Sequence, residues 1–312
     1  MTTGTIPGPP SIRDRRPEEV LRQLELLVTR RLDGLLQGDY QGLVPGQGSE
    51  PGESREYLPG DDVRRMDWNL TARTTVPHVR DAVADRELET WVVVDCSASL
   101  SFGTAACEKR DLALAAVAAV GFLTARTGNR IGALALRPDG VEHIPARTGR
   151  KALLGMLHRL ATLPPAPDGH GATDLGAGMS HLLRPQRRRG LAVVVSDFLA
   201  APGWERPLRM LAARHQVMAI EVLDPRELEL PNVGFLTLVD PETGARREVQ
   251  TGRAGLRARY AAAAAAERAE IRTAIRRTGA HHLVLRTDRG WMRDIVEFVV
   301  SSRRHRHALA KP

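Results

Sequence analysis

The sequence predicts an α/β fold: a doubly wound, mostly parallel sheet with helices on both faces, plus an N-terminal helix and extended arm and a C-terminal hairpin and helix extension. Three observations predict it. From Trp91 onward short apolar runs alternate with longer stretches of helical spacing, which is how a chain writes successive strand and helix units. The runs WVVVD at 91–95 and LAVVVSD at 191–197 lack the polar alternation of a half-exposed strand, so helices must cover both of their faces. Finally, 312 residues with 42% hydrophobic and 26% charged content suffice for a full core under a charged surface.

Residues 1–16 read as a disordered tail and 17–90 as the N-terminal helix and arm. PEEVLRQLELLVTRRLDGLL sets Val20, Leu21, Leu24, Leu27, Leu32 and Leu35 near helical spacing, with Pro17 suited to a first turn. Residues 38–60 are rich in Gly, Pro and acids and read as loop. The overlapping segment REYLPGDDVRRMDWNLTARTTVPHVRD, dense in opposite charges, is expected to be extended and salt-bridged rather than helical.

The central domain is 91–224. After the strand at 91–95, EKRDLALAAVAAVGFLTARTG is a helix that stops at Gly128, and RIGALALRPDGVEHIPA is a hairpin turning through Pro138, Asp139 and Gly140. The helix in GRKALLGMLHRLATL ends before Pro164, Pro165 and Pro167. The loop DGHGATD leads to a helix near Leu175 to Leu183, then come the buried strand, a helix at 204–214 and the strand QVMAIEVLD. Residues 225–300 complete the fold with a hairpin around Pro241–Gly244, an Ala- and Arg-rich helix at 254–278, the strand AHHLVLRT and a last helix, DIVEFVV. Residues 301–312 form a basic, solvated tail.

Composition narrows the function. No run of eighteen apolar residues appears, and Pro and Gly interrupt the N-terminus where a signal peptide needs an apolar core, so a cytoplasmic protein without a membrane span is expected. Cys96 and Cys107 lack metal-ligand spacing and read as a reduced pair. The net charge of +8 comes almost wholly from Arg, since Lys occurs only at 109, 151 and 311. The aromatic residues do not cluster with Arg into a stacking platform, so nucleic acid is not the expected partner.

The residues that carry chemistry stand at strand ends, where ligands of open parallel sheets bind. VVVDCSASLSFG offers Asp95, Ser97 and Ser99 at alternate positions. GHGATDLG offers Thr173 and Asp174 before a helix, and VVVSDFL offers Ser196 and Asp197 at a second strand end. Carboxylate and hydroxyl oxygens are hard donors, matched to magnesium first and manganese or calcium second. The same residues also have a structural reading, as a strand-end turn at 95–99 and as helix caps at 173–174. His170 reads as an exposed loop residue, and no chemistry is assigned to His281 or His282.

The Asp-x-Ser-x-Ser loop, distant Thr and later strand-end Asp resemble the metal-ion-dependent adhesion site of von Willebrand A-like domains. That resemblance implies direct coordination by Ser97, Ser99 and Thr173, and action largely through bound water by Asp95 and Asp197. A longer stretch, with GQG at 46–48, REYLPGDDVRRMDWNLTAR at 55–73 and the following VVVDCSAS, resembles the bacterial family called domain of unknown function 58. Members of that family carry the motif just before a von Willebrand A-like domain, and their genes commonly accompany those of MoxR-type AAA+ ATPases. The resemblance implies an adaptor or chaperone-like partner of such an ATPase, or of a client protein. This chain lacks the N-terminal transmembrane helices of many members. Within the signature Arg55, Tyr57, Gly60, Asp61, Asp62, Arg64, Asp67, Trp68 and Arg73 are read either as a partner surface or as an ion-pair network fixing the arm to the sheet. The expected function is therefore non-enzymatic, metal-dependent protein binding. The rivals are a metal-dependent phosphate-ester hydrolase, for which no DxD pair, GxSxG, HExxH or P-loop is present, and Arg-mediated nucleic-acid binding.

Overall fold

The computed structural model describes residues 8–13, 15–36, 54–57, 66–80, 89–126, 128–183, 190–298 and 301. The helix expected from Pro17 is α1 (Pro17–Leu36), buried through Val20, Leu21, Leu24 and Val28. Val28, four residues beyond Leu24, continues the inward stripe, so Leu27, predicted to face inward, turns to solvent. The tail expected to be disordered is partly held. Ile12 packs against the core and its backbone N–H donates to Asp111 Oδ1 at 2.8 Å, while Arg13 pairs with Glu108 at 2.8 Å. Asp111, a buried carboxylate in the first turn of a helix, needs such donors, and the N-terminal strap supplies one.

The arm contributes β1 (Ser54–Glu56), α2 (Trp68–Thr74) and β2 (His78–Arg80), with β1 antiparallel to β2. The expectation that this segment is extended throughout fails at α2. Asp67 accepts from Leu70 N–H at 3.1 Å and so caps a helix that the dense charges concealed. Residues 1–7, the loop at 38–53, the tail at 302–312 and the signature positions Gly60, Asp61, Asp62 and Arg64 lie outside the described residues.

The remaining elements are β3 (Glu89–Asp95), α3 (Lys109–Arg126), β4 (Arg130–Arg137), β5 (Gly140–Arg147), α4 (Arg150–Thr162), α5 (Leu175–Ser180), β6 (Gly190–Ser196), α6 (Glu205–Ala212), β7 (Gln216–Leu223), β8 (Phe235–Val239), β9 (Arg246–Gln250), α7 (Ala254–Thr278) and β10 (His281–Arg286), followed by a helix at 291–298. Six strands form one sheet in the order β10-β7-β6-β3-β4-β5, parallel except for the β4–β5 hairpin. The hairpin of β8 and β9 stands apart as a two-stranded sheet.

Alternation along β3 divides the core. Val92 and Val94 face the layer made with α1, α3 and α4, whereas Trp91 and Val93 face the layer of α5, α6 and α7. α3 lies under both α1 and α4, and it is buried from Leu112 to Val120 on every side. Such a helix has no amphipathic stripe to find, and its many alanines let its neighbours approach closely. Among the described residues no helix is long and apolar enough to cross a membrane.

Close approach is tightest where β6 begins beside β3. A Cβ at Gly190 would stand 1.9 Å from the Glu89 carbonyl oxygen, which is backbone and cannot swing aside. Gly190→Ala is therefore expected to destabilise the fold by about 1–3 kcal/mol, read as a lower urea midpoint at unchanged slope.

Candidate functional site

Counted by themselves in chain order, the sheet strands run 6-5-4-1-2-3, the doubly wound order whose direction of winding reverses between the first and fourth strands. Those strands are β3 and β6. The chain leaves their carboxyl ends toward opposite faces, and the crevice so opened is where Asp95 ends β3 and Asp197 follows β6.

The five predicted ligand residues converge there, all buried. Asp95 Oδ1 accepts from the Ser97 N–H at 3.0 Å and from Thr173 Oγ1 at 2.9 Å, and Asp95 Oδ2 accepts from Ser196 Oγ at 2.7 Å. Ser97 Oγ lies 3.0 Å from Ser99 Oγ, which donates to Asp197 Oδ2 at 2.9 Å. Asp197 Oδ1 takes the Leu199 N–H at 3.1 Å. That last contact needs the chain to turn sharply at Phe198, a buried non-glycine residue at φ 58°, whose N–H is held by Ser196 Oγ at 3.0 Å.

The spacing fits a small octahedral ion. With magnesium–oxygen bonds of about 2.1 Å, neighbouring ligands of an octahedron stand about 3 Å apart. The Ser97 and Ser99 hydroxyls, 3.0 Å apart, already have that separation, and Ser99 and Thr173 are each hydrogen-bonded at 2.9 Å to the carboxylates behind them. Among the described residues no three His, Cys, Asp or Glu side chains gather into a metal cage, so any ion here would rest on hydroxyls and two carboxylates.

The carboxylates are stabilised differently. Burial and the Asp197 charge raise the Asp95 pKa against the lowering effect of its Ser196 and Ser97 bonds. Burial also pushes Asp197 upward, but the Lys109 ammonium, joined by the Leu199 N–H and the Ser99 hydroxyl, offsets it and holds that carboxyl below its usual range. Lys109 Nζ, wholly buried, lies 2.8 Å from Asp197 Oδ2 and 2.5 Å from Glu227 Oε1. Arg268 of α7 carries the network on, donating to the Asp197 carbonyl at 2.7 Å and pairing with Glu221 at 3.1 Å and Glu227 at 3.4 Å. His282 Nε2 meets Glu221 at 2.8 Å.

Beside it a third strand-end carboxylate, buried Asp224 after β7, accepts from Thr104 N–H at 2.8 Å, Thr104 Oγ1 at 2.6 Å, Arg226 N–H at 2.9 Å and Thr287 Oγ1 at 2.7 Å. Burial acts to raise its pKa, and these donors, Thr104 foremost, bring it below the ordinary value.

The turn of the β8–β9 hairpin rests on the Thr173 loop. Gly169 N–H donates to the Pro241 carbonyl and Gly171 N–H to the Glu242 carbonyl, each at 2.9 Å. Gly169 and Gly171 adopt φ of 79° and 89°, conformations that explain the glycines of DGHGATD. Burial, then the charges of Asp197 and Asp95, push the Glu242 carboxyl up to about 7.

Other sequence readings sort plainly. Asp174 caps α5 through Ala177 N–H at 2.7 Å, and His170 is exposed. Cys96 and Cys107 are free, and burial, with the Asp95 charge next for Cys96 and the Asp111 charge next for Cys107, pushes both thiols to about 12. In the signature arm, Trp68 is 68% exposed. Arg73 Nε bonds the Asn69 carbonyl at 3.4 Å, a contact within its own helix rather than the ion pair expected of it. Tyr57 is half-buried, its N–H on the Pro77 carbonyl at 2.8 Å, and Arg55 pairs its backbone with Val79 in the β1–β2 ladder. None of these contacts joins the oxygen cluster. The sequence reading missed Lys109, Glu221, Glu227, Glu242 and Arg268; the one available signal was the rarity of lysine in an Arg-rich chain, with Lys109 just after the DxSxS loop.

Comparison with known proteins places the chain. Residues 53–270 match the family model described as "Protein of unknown function DUF58". The chain is 58% identical over 312 residues to the uncharacterized protein Rv1480 of Mycobacterium tuberculosis, covering 97% of this chain and 98% of that one. It is 53% identical over 161 residues to an uncharacterized protein of Mycobacterium avium, covering 52% of this chain and 94% of that one. Among solved structures it is similar to an aerotolerance-related membrane protein from Bacteroides fragilis, at TM-score 0.45 and 12% identity, over 69% of this chain and 99% of that one. A von Willebrand factor type A structure from Catenulispora acidiphila is similar at TM-score 0.33 and 13% identity, over 47% of this chain and 35% of that one.

Two predictions test the charge network. Lys109→Met leaves Asp197 and Glu227 without their shared cation and is expected to destabilise the fold by about 3–5 kcal/mol, with part of the loss recovered when Asp197→Asn is added. Asp224, whose folded pKa lies below the ordinary 3.8, contributes stability that is complete above that value and lost as pH falls through the folded one. Asp224→Asn is expected to lower the urea midpoint at neutral pH and to flatten its fall on acidification.

Proposed function

The chain belongs to the DUF58 family, and we propose that its switch-point oxygens hold one divalent ion, magnesium first and manganese or calcium as substitutes, through which the protein grips a partner. The observation that carries this reading is the convergence of five buried oxygen-bearing side chains at the switch point, with the Ser97 and Ser99 hydroxyls 3.0 Å apart, the cis separation of an octahedral shell. Ser97, Ser99 and Thr173 are the direct donors. Asp95 and Asp197, whose oxygens are engaged by Ser196, Thr173, Ser99, Lys109 and backbone N–H groups, act from behind through water. Neutral hydroxyls leave the ion most of its charge, so it attracts an outside carboxylate.

The partner is a MoxR-type AAA+ ATPase or a client protein, a reading supported by the signature arm that this chain shares with its family. The role is binding without turnover. The Cys96 thiol, at about 12, is no nucleophile, and Ser97 and Ser99 bond each other and Asp197 rather than an activating imidazole.

Capture of the ATPase from solution by the full chain tests this. The wild type is expected to retain it in magnesium and release it on chelation, and Asp95→Ala is expected to fail in both. Equal capture under all conditions would remove the metal from the mechanism.

A further inference from the structure

The end of the sheet away from the oxygen cluster carries a groove of opposite charge. β3 and β4 run parallel, with Glu89 beside Arg130 and Asp95 beside Leu136, so the amino ends of these strands lie about 20 Å from the switch point. There the close of β5 and the first turns of α4 border a groove of about 950 Å³. Among the described residues Arg130, Arg147, Lys151 and Arg159 line it together with no acid. Its floor is apolar, with Ile144 and Met156 both buried.

Two of the four cations are partly answered. Arg159 pairs with Glu142, and Arg130 stands 3.7 Å from Glu89 and donates to the Ala146 carbonyl at 2.9 Å. Arg147 and Lys151 are exposed and, among the described residues, meet no acid. Gly149, the residue before α4, has no side chain to cap that helix, so its first N–H groups add to the positive potential. β5 is the last strand of the sheet, but Pro145 lacks an N–H with which to pair a further one, so an occupant is held by side chains rather than by extension of the sheet. None of the lining residues is aromatic, which leaves nucleic-acid bases nothing to stack on. A polypeptide can instead set carboxylates on the cations and an apolar side chain against the floor.

We propose that this groove is a second docking surface, whose occupant is an acidic, extended segment of a partner protein. It does not rest on the metal reading. The two surfaces stand at opposite ends of one sheet, so the chain can hold two partners at once, one at the switch point and one in the groove.

Fluorescence anisotropy with a labelled peptide that alternates glutamate with leucine tests the groove. The full-length wild type is expected to bind it, more weakly as salt rises and equally with or without chelator. Combined Arg147→Glu and Lys151→Glu is expected to weaken binding about tenfold at an unchanged urea midpoint, because both side chains are exposed. Asp95→Ala is expected to bind the peptide as the wild type does, whatever becomes of the metal reading. Equal binding by the wild type and the double variant would overturn the proposal. So would loss on chelation, which would assign the peptide to the oxygen cluster. Tighter binding of single-stranded DNA of equal charge, lost in the same double variant, would overturn it in favour of nucleic acid.

Discussion

Two carboxylates buried side by side at the switch point are the constraint around which the rest of the structure is arranged. Asp95 and Asp197 are both shut away from bulk solvent, and each repels the other. The fold meets the cost unequally. Asp95 receives hydroxyls and one N–H, which stabilise it without cancelling its charge. Asp197 receives a buried ammonium. An ammonium so placed would itself be costly if unpaired, so Glu227 is required opposite it, and Glu227 in turn is met by Arg268. One local problem of solvation thus recruits α3, the turn after β7 and α7 into a single network.

That network ties the C-terminal elements to the site. Arg268 lies seventy-one residues from Asp197 yet donates to its carbonyl, and His282 closes the far end through Glu221. Helix α7 shows little amphipathic pattern because it is mostly exposed. What fixes it against the sheet is a short stripe, Arg268, Ile271 and Ile275, in which one residue is charged. A change in charge at the strand ends is therefore felt by α7 through direct hydrogen bonds rather than through packing alone.

The legibility of the sequence follows the range of each interaction. β3, β6 and β7 were readable because burial on both faces imprints a continuous apolar run, and the oxygen cluster because DxSxS, TD and SD each lie within a few residues of a strand end. α2 was hidden because its single turn-forming cap, Asp67, is one acid among many in a charge-dense arm. The Lys109–Asp197 and Lys109–Glu227 pairs span 88 and 118 positions, and nothing near Lys109 announces either partner. The docking of the Pro241–Gly244 turn on Gly169 and Gly171 is likewise a backbone contact between distant loops. From sequence, the glycines told only of a sharp turn and the turn only of a hairpin.

Charge balance joins these features into one argument about the site. Leaving His282 aside, the ionised carboxylates of Asp95, Asp197, Glu221 and Glu227 bring four negative charges and Lys109 and Arg268 return two, so the cluster keeps two negative charges where little solvent reaches to screen them. On the proposed reading a divalent ion supplies the two positive charges that are missing, and the neutral hydroxyls of Ser97, Ser99 and Thr173 hold it without adding charge of their own.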